Sequence, residues 1–297
     1  MVVLLAGASG LLGSALTRSL AARGQTIRRL VRREPTAPGQ VRWDPSRDLD
    51  GEVLDGVSAV INLGGAGVSD RRWTRARKRL LLDSRVGPTS TLARAIARKA
   101  AGGSRIRYLQ AGAIGWYGDG GEHDLTESMP AGSTPLAHLC RAWEAAAGPA
   151  REAGAEVVTL RTGIVLSPHG GAMGPLFPLI KLGLAGPLGP GTQWWAWIHV
   201  DDWVGAVIHV LESDHVGPVN LTAPHPSRNR DVIAALARAA HRPSLIRAPG
   251  WALRVALDGF GEEILRSQRA VPHVLTELGY SFVHPEVDSA ARAVMRR

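Results

Sequence analysis

Three glycines near the start of the chain, Gly7, Gly10 and Gly13, have the spacing G-x-x-G-x-x-G. The first permits a tight turn, the second lets the backbone approach a phosphate, and the third lets a helix pack against a strand. An apolar run at 2–5 precedes them, and an amphipathic pattern follows and ends at Gly24. This context predicts that a dinucleotide pyrophosphate binds at the positive end of the helix. A purely structural glycine turn is the alternative.

The residues after the second predicted strand distinguish between two forms of the dinucleotide. An acidic residue there would accept a hydrogen bond from the ribose 2′-hydroxyl of NAD. This chain instead has Arg32 and Arg33, and a guanidinium pairs with the 2′-phosphate of NADP. The pattern therefore favours NADP(H) as the cofactor, with arginines that are merely solvated as the alternative.

Apolar runs alternate with amphipathic segments along the first part of the chain. Predicted strands span 2–5, 26–31, 57–63, 106–111 and 156–160. Predicted helices span 84–101, 136–153, 203–211, 229–241, 251–258 and 287–296. Alternation of this kind indicates an α/β fold, a Rossmann doubly wound parallel sheet. A smaller helix-rich C-terminal region is expected to form a cap over the substrate.

We expect two domains. An NADP-binding Rossmann domain is predicted at 1–165, with later strands contributed from 195–222. The substrate or cap region is predicted at 166–297 and includes a helical C-terminal domain at 245–297. The 297 residues are 45% hydrophobic, which is enough for a large core without disulfides or a structural metal.

Composition excludes several classes of protein. The single cysteine, Cys140, excludes a disulfide framework and a cysteine-based zinc site, and it favours a reducing, cytoplasmic location. No signal peptide is recognisable, and no apolar stretch approaches the roughly 20 residues that a membrane span needs. We therefore expect a soluble protein.

The net charge of +9 raises the question of a nucleic-acid partner. In the densest basic run, at 71–79, a helix would place Arg71, Arg75, Lys78 and Arg79 on one face. No nucleic-acid-binding motif accompanies this run. A solvated basic face is therefore the favoured interpretation, and the expected partner is a small-molecule substrate.

Several long segments resemble those of a known family. The sequence is similar to extended short-chain dehydrogenases/reductases, and within them to the atypical branch called epimerase family proteins, which ends in a small helical domain. The matching segments are LLAGASGLLG at 4–13, VINLGGAGVSDRRW at 60–73, SR at 84–85, AGAIGWYGDGGE at 111–122, LCRAWEAAA at 139–147, LRTGIVLSPHGGAMG at 160–174, LGLAGPLGPGTQWWAWIHVDD at 182–202 and RSQRAVPHVLTELGY at 266–280. The resemblance covers nearly the whole chain.

The resemblance implies a set of cofactor contacts. Arg32 would hold the 2′-phosphate, Leu63 and Gly64 would lie beside the adenosine and pyrophosphate, Arg85 would also reach the cofactor, and Val165 would lie near the nicotinamide. Around the glycine turn, the implied contacts are Gly7, Ser9, Gly10, Leu11 and Leu12.

The chain departs from the wider superfamily at its catalytic residues. Those enzymes use a serine, a tyrosine and a lysine, and the tyrosine and lysine lie four residues apart on one helix. Alignment of the matching segments puts Ala113 at the serine position, Leu136 at the tyrosine position and Cys140 at the lysine position. Reduction of a carbonyl needs a proton donor, so another residue must supply it, or the chemistry differs, or there is no chemistry.

Tyr117 is the first candidate for the missing acid, because it follows a strand at the edge where α/β folds bind ligands. Its ring could instead form the pocket wall. His138 should point away from the face that carries Leu136 and Cys140, and a buried Cys140 thiol would be inert.

Two further groups of residues could have either a chemical or a purely structural role. In the HVDD segment, Asp201 or Asp202 is expected to cap the helix that contains Trp203. No metal site is predicted with His199, because no second histidine or carboxylate cluster at ligand spacing accompanies it. The tryptophans Trp116, Trp194, Trp195 and Trp197 either line a flat apolar pocket, which would suit an aromatic substrate, or pack in the core.

Two functions remain open from the sequence. The first is an NADP(H)-dependent oxidoreductase or epimerase-type enzyme that acts on a small molecule. The second is a non-catalytic NADP(H)-binding scaffold or sensor that acts through protein partners.

Overall fold

The computed structural model describes residues 1–296, and thirteen strands occur among them. They are β1 (Val2–Ala6), β2 (Thr26–Val31), β3 (Gln40–Arg42), β4 (Ala59–Asn62), β5 (Arg107–Ala113), β6 (Asp124–Leu125), β7 (Glu156–Thr162), β8 (Ile164–Leu166), β9 (Trp194–Trp195), β10 (Trp197–His199), β11 (Gly217–Leu221), β12 (Ser227–Arg228) and β13 (Arg269–Ala270).

Eleven α-helices occur in the same described range. They are α1 (Leu11–Ala22), α2 (Arg75–Ala101), α3 (Pro135–Ala145), α4 (Gly148–Glu152), α5 (Leu176–Lys181), α6 (Val200–Glu212), α7 (Asn229–Ala239), α8 (Gly250–Leu257), α9 (Gly259–Ile264), α10 (His273–Glu277) and α11 (Val287–Met295). Single 3-10 helices span Gly51–Leu54 and Ile114–Tyr117.

Seven strands form one parallel sheet in the order β11-β7-β5-β4-β1-β2-β3. The chain runs outward from β1 through β2 to β3, and β4 then returns to the other side of β1. A crevice therefore opens outside the carboxyl ends of β1 and β4, the position at which open α/β sheets bind ligands. The predicted Rossmann fold is confirmed.

Both faces of the sheet are covered, which explains the uninterrupted apolar run of β1. Val3 and Leu5 pack in one core cluster with Leu16 of α1 and Trp203 of α6. The alternate residues of β1 pack in a second cluster with residues of α2 and α4. The sheet is therefore doubly wound, as predicted.

The predicted strand at 26–31 is confirmed as β2, but two helix predictions need correction. The helix predicted at 84–101 begins at Arg75, where the Thr74 side chain caps it. Arg71 therefore lies outside the helix, and the predicted basic face is wrong in that part. The helix predicted at 136–153 is divided into α3 and α4, because Pro149 has no N–H to donate and its ring obstructs the preceding turn.

The C-terminal region is bonded to the loops at the carboxyl edge of the sheet. Strand β13 pairs with β6. The Gln268 side chain donates to the Gly118 carbonyl at 2.8 Å, and the Ser267 hydroxyl donates to the Gly121 carbonyl at 2.6 Å. These bonds place α9 beside the loop that follows β5. No helix of the described residues is long and apolar enough to cross a membrane.

Substitution of Gly13 by alanine tests the packing of α1 against the glycine turn. A Cβ at Gly13 would overlap the Gly7 carbonyl oxygen and approach the Ala8 Cα to 2.8 Å. Gly87, which lies within α2, has no atom within 4 Å of the corresponding position. We expect Gly13→Ala to lower the free energy of unfolding of the cofactor-free protein by about 1–3 kcal/mol.

The matched control, Gly87→Ala, should raise the free energy of unfolding by about 0.5–1 kcal/mol, because alanine favours the helix. Urea denaturation measures both variants. Equal stability of the two would mean that α1 does not pack closely on the turn.

Candidate functional site

The glycine turn leaves backbone donors exposed at the start of α1. Gly7 has a φ of +80°, and a Cβ there would lie 2.6 Å from the Leu63 carbonyl carbon. Ser14 makes the first bond within the helix, to the Gly10 carbonyl. Among described residues, the N–H groups of Leu11 and Leu12 have no acceptor, and no side chain caps the helix. An anion fits this end of the helix.

The second glycine of the motif borders open space. A Cβ at Gly10 would meet only the Gly7 carbonyl oxygen, at an ordinary 3.5 Å, and both Ser9 and Gly10 are exposed. Gly7, by contrast, lies against Leu63 and Gly64. The structure thus brings together the turn and the loop after β4, both of which were predicted to hold the cofactor.

Arg32 follows the carboxyl end of β2, which is the neighbour of β1 in the sheet. Its side chain is exposed and makes no hydrogen bond or ion pair within residues 1–296. Glu34, the nearest acidic residue in the sequence, is instead paired with Arg42. The positive charge of Arg32 is therefore available to a ligand at this edge.

Arg85 holds the loop that follows β4. Its guanidinium donates to the Ala66 carbonyl at 2.9 Å and to the Leu81 carbonyl at 3.0 Å, and it lies 5.0 Å from the Trp143 ring centre. Burial lowers the pKa of Arg85. The residue thus supports the loop beside Gly64, and its contact with a cofactor stays a prediction.

A buried amide that the sequence analysis did not single out supports the same loop. Asn62 ends β4, and its side-chain oxygen accepts the N–H of Gly64 at 3.1 Å. Its amide nitrogen donates to Thr89 at 3.1 Å and to Gln110 at 3.0 Å. A polar residue at the end of the apolar run AVIN was the signal that could have identified it.

Val165 lies in β8 and is 7% exposed, in a core cluster with Ile198 and Val200. Its predicted place near the nicotinamide stays a prediction. The glycine-rich segment that follows β8 reaches the cofactor turn, because a Cβ at Gly171 would lie 3.0 Å from the Leu11 side chain. This segment therefore borders the crevice.

The residues at the triad positions lie at one edge of the sheet. Leu136 is in the first turn of α3, and its side chain lies over Gly115 together with the Cys140 sulfur. Ala113 ends β5 beside them. Cys140 is fully buried, and burial raises its pKa to about 12, so its thiol stays neutral. His138 is exposed, consistent with the predicted direction.

Tyr117 directs its hydroxyl into a buried polar network. The hydroxyl donates to the Asn220 side-chain oxygen at 2.7 Å and accepts from Arg161 at 3.1 Å. Burial raises the pKa of Tyr117 to about 12. The predicted catalytic role of Tyr117 stays a prediction, and the observed bonds connect its hydroxyl to the protein interior.

The centre of that network is a buried ion pair. Arg161 of β7 donates from Nε and from one terminal nitrogen to the two carboxylate oxygens of Glu144 on α3, at 3.0 and 3.1 Å. Arg161 is 3% exposed and Glu144 is 7% exposed. The same guanidinium lies 4.1 Å from the Trp116 ring centre. This pair joins α3, the helix that carries Leu136 and Cys140, to the sheet.

The four tryptophans do not form one pocket. Trp195 and Trp197 lie in the core of the C-terminal part, at 5% and 0% exposure. Trp194 contacts the guanidinium groups of Arg228 and Arg269. Trp195 and Trp197 therefore pack in the core, which was the alternative to an aromatic pocket.

The HVDD segment differs from its expected role in two respects. His199, not Asp201 or Asp202, caps α6, because its Nδ1 accepts the N–H of Asp201 at 3.2 Å. Asp202 instead accepts the N–H groups of Val283 and His284, at 2.7 and 2.9 Å. This anchors the C-terminal segment to α6.

The expectation that no second histidine accompanies His199 is wrong. The ring centre of His284 lies 4.2 Å from that of His199, and donor atoms of His199, Asp201 and His284 lie within 4.8 Å of one another. Sequence spacing could not show this, since a long stretch of chain separates the two histidines. The prediction that the protein holds no metal stays a prediction.

The doubly wound sheet, the glycine turn on β1 and the arginine after β2 define a Rossmann protein of the NAD(P)-binding class. Residues 3–222 match the NAD dependent epimerase/dehydratase family, and the chain belongs to this family. Residues 248–294 match a domain of unknown function, DUF1731.

Similar proteins share both parts of the chain. An epimerase family protein of Mycobacterium bovis is 41% identical over 292 residues, which cover 97% of this chain and 96% of the relative. The crystal structure of the human epimerase family protein SDR39U1 with NADPH is 29% identical, with a TM-score of 0.90, and covers 100% of this chain and 99% of that chain. A nucleoside-diphosphate sugar epimerase from Corynebacterium glutamicum is 32% identical, with a TM-score of 0.81 over 99% of this chain and 58% of that chain.

Replacement of Arg161 by methionine tests the buried ion pair. The change leaves the Glu144 carboxylate buried without its partner, and we expect the free energy of unfolding to fall by about 3–5 kcal/mol. Urea denaturation measures it. The matched control is Arg105→Met, whose side chain is 90% exposed while it pairs with Glu156 at 2.6 Å. The control should lose at most about 1 kcal/mol, and equal losses would contradict the structural role of Arg161.

Proposed function

We propose that the protein is an NADP(H)-dependent oxidoreductase or epimerase-type enzyme that acts on a small molecule. The observation that carries the proposal is Arg32, an exposed arginine without a described partner, which follows the end of β2, the strand that pairs with β1. The human relative whose structure contains NADPH supports the same choice of cofactor.

The residues present fit this cofactor. The N–H groups of Leu11 and Leu12 would receive the pyrophosphate, since both lack acceptors among the described residues and no acidic side chain stands in the first turn of α1. Arg32 would pair with the 2′-phosphate. Leu63 and Gly64 would offer backbone atoms beside Gly7. When bound, NADPH supplies a hydride to a carbon of the substrate.

The substrate would lie where the loop after β5, the start of α3 and the C-terminal region meet. We propose that residues 1–165, with β11, hold the cofactor, and that 166–297 provide the substrate side. This division is supported by β11, which extends the main sheet, and by the bonds from Gln268 and Ser267 to the loop at 118–121.

A non-catalytic scaffold or sensor is the second candidate. It is supported by the residues at the triad positions, because neither Ala113 nor Leu136 can exchange a proton and Cys140 is a buried neutral thiol. Oxidation of NADPH by a carbonyl compound would favour the enzyme. Association with a protein partner that depends on the cofactor, without turnover, would favour the scaffold.

Titration calorimetry with NADPH and NADH tests the choice of cofactor. We expect NADPH to bind more tightly, and Arg32→Ala to weaken NADPH binding roughly 10- to 100-fold, because a charge-assisted bond to a phosphate contributes about 1.5–3 kcal/mol. Binding of NADH should change little.

The matched control is Arg18→Ala, which removes an exposed arginine of α1 that has no partner among the described residues. This variant should bind NADPH as the unmodified protein does. Equal affinity for NADPH and NADH, or equal effects of the two substitutions, would contradict the assignment of the 2′-phosphate to Arg32.

A further inference from the structure

We propose that Glu263, on helix α9 of the C-terminal region, is the general acid of the proposed substrate site and takes the place of the missing tyrosine. The inference rests on the proposed oxidoreductase function. The C-terminal region would then have a chemical role in addition to covering the sheet edge. The proton that the substrate accepts would come from a residue outside the Rossmann fold.

The first observation is where Glu263 lies. Leu136 occupies the position that carries the tyrosine in related enzymes, and the Glu263 carboxyl group lies close to the Leu136 backbone N–H. Leu136 also lies over Gly115, in the loop that follows β5. The carboxyl group therefore stands at the start of α3, beside the place where the tyrosine would begin.

The second observation is an unpartnered oxygen. The Glu263 side chain is only 5% exposed, and its Oε2 atom accepts no hydrogen bond from any residue between 1 and 296. Arg266 Nε lies 3.3 Å from that oxygen, in an ion-pair contact without hydrogen-bond geometry. A buried carboxyl oxygen in this state is destabilising unless a ligand supplies the missing bond. A substrate hydroxyl or carbonyl group at this edge would do so.

Burial is the main influence on the Glu263 carboxyl group, and it favours the protonated form. Burial raises the pKa of Glu263 and outweighs the lowering by Arg266 and by the Leu136 N–H. The neighbouring carboxylates of Glu262 and Asp119 raise it further. The other titratable neighbour, Cys140, is a neutral thiol. A general acid works best when its pKa lies near the operating pH.

The other candidates are less well placed. The Tyr117 hydroxyl donates a hydrogen bond to the Asn220 side-chain oxygen within the interior, and proton transfer to a substrate would require that bond to break. His138 is exposed on the outer face of α3. The Cys140 thiol is fully buried, and its pKa is far above neutrality.

The reaction step balances for a carbonyl substrate. The carbon–hydrogen bond of the reduced cofactor that supplies the hydride would break, a new carbon–hydrogen bond would form at the carbonyl carbon, and the π pair of the C=O bond would move to oxygen. Glu263 donates its proton to that oxygen and becomes a carboxylate. The carbonyl compound is reduced to an alcohol, NADPH is oxidised to NADP⁺, and Glu263 regains a proton from water.

The kinetic test compares Glu263→Gln with Glu262→Gln. Glutamine at 263 keeps the size and polarity of the side chain but cannot transfer a proton. Glu262 is the adjacent, exposed carboxylate of the same helix. With NADPH saturating and nitrobenzaldehyde as the carbonyl probe, we expect Glu263→Gln to slow oxidation of bound NADPH by about 10²–10⁴-fold. NADPH affinity and stability to urea should remain unchanged, and Glu262→Gln, which removes only a neighbouring charge, should slow oxidation far less than Glu263→Gln does.

A second readout needs no turnover. In protein labelled with ¹³C at glutamate carboxyl groups, the resonance that disappears in Glu263→Gln belongs to Glu263. We expect it to titrate at a higher pH than the exposed glutamates in the cofactor-free protein. Titration together with Glu262 would overturn the inference.

The outcomes separate the inference from the proposed function. If the unmodified protein oxidises NADPH and Glu263→Gln does so at the same rate, the inference fails while the proposed function stands. Loss of turnover in Tyr117→Phe with Glu263→Gln fully active would assign the proton to Tyr117 instead. If the unmodified protein does not oxidise NADPH, carbonyl reduction fails, and the carboxyl titration decides whether Glu263 retains its proton.

Discussion

The ion pair between Glu144 and Arg161 is the interaction on which the functional edge of this protein depends. Two ions are removed from water there, and removal of either would leave a charge without its partner. Because Glu144 belongs to α3 and Arg161 to β7, the pair determines how the helix meets the sheet. It thereby determines where Leu136 lies and where the Tyr117 hydroxyl points.

The same network extends into the C-terminal region. Asn220 of β11 accepts from Tyr117 and donates to the Leu125 and Val271 carbonyls at 3.0 and 2.9 Å. Glu127 accepts the N–H groups of Asn220 and Val274, at 3.0 and 3.2 Å. The C-terminal residues are thus held by polar bonds that reach the centre of the sheet edge. A rigid connection of this kind is what a catalytic group borne on α9 would need.

The sequence predicted the N-terminal part of the molecule well, because its signals are local. A glycine turn, an arginine after a strand and apolar runs of strand length lie within a few residues of one another, and the structure brings Gly7, Leu63 and Gly64 together as expected. The pattern of amphipathic segments also predicted the helix-rich C-terminal region, and the family resemblance agreed with it. The predicted helix boundaries were wrong where a single residue decides them. Pro149, for example, ends α3 earlier than the sequence predicted.

The C-terminal part was less predictable, because its contacts join distant parts of the chain. Glu263 has an unremarkable sequence context, and only its burial beside Leu136 distinguishes it from the adjacent Glu262. His284 reaches His199 through the anchor at Asp202. The tryptophan cluster suggested a pocket, but two of its members were needed to fill the core. Composition shows that aromatic residues are present, but it cannot show whether they line a pocket or pack in the core.

Amide hydrogen exchange with and without NADPH tests the central claim most directly, which is that the crevice between β1 and β4 holds the cofactor. The account predicts slower exchange at the backbone of Gly7–Leu12 and of 63–66 on addition of NADPH, with a smaller effect of NADH. Unchanged exchange in both segments, or protection confined to another part of the chain, would contradict it.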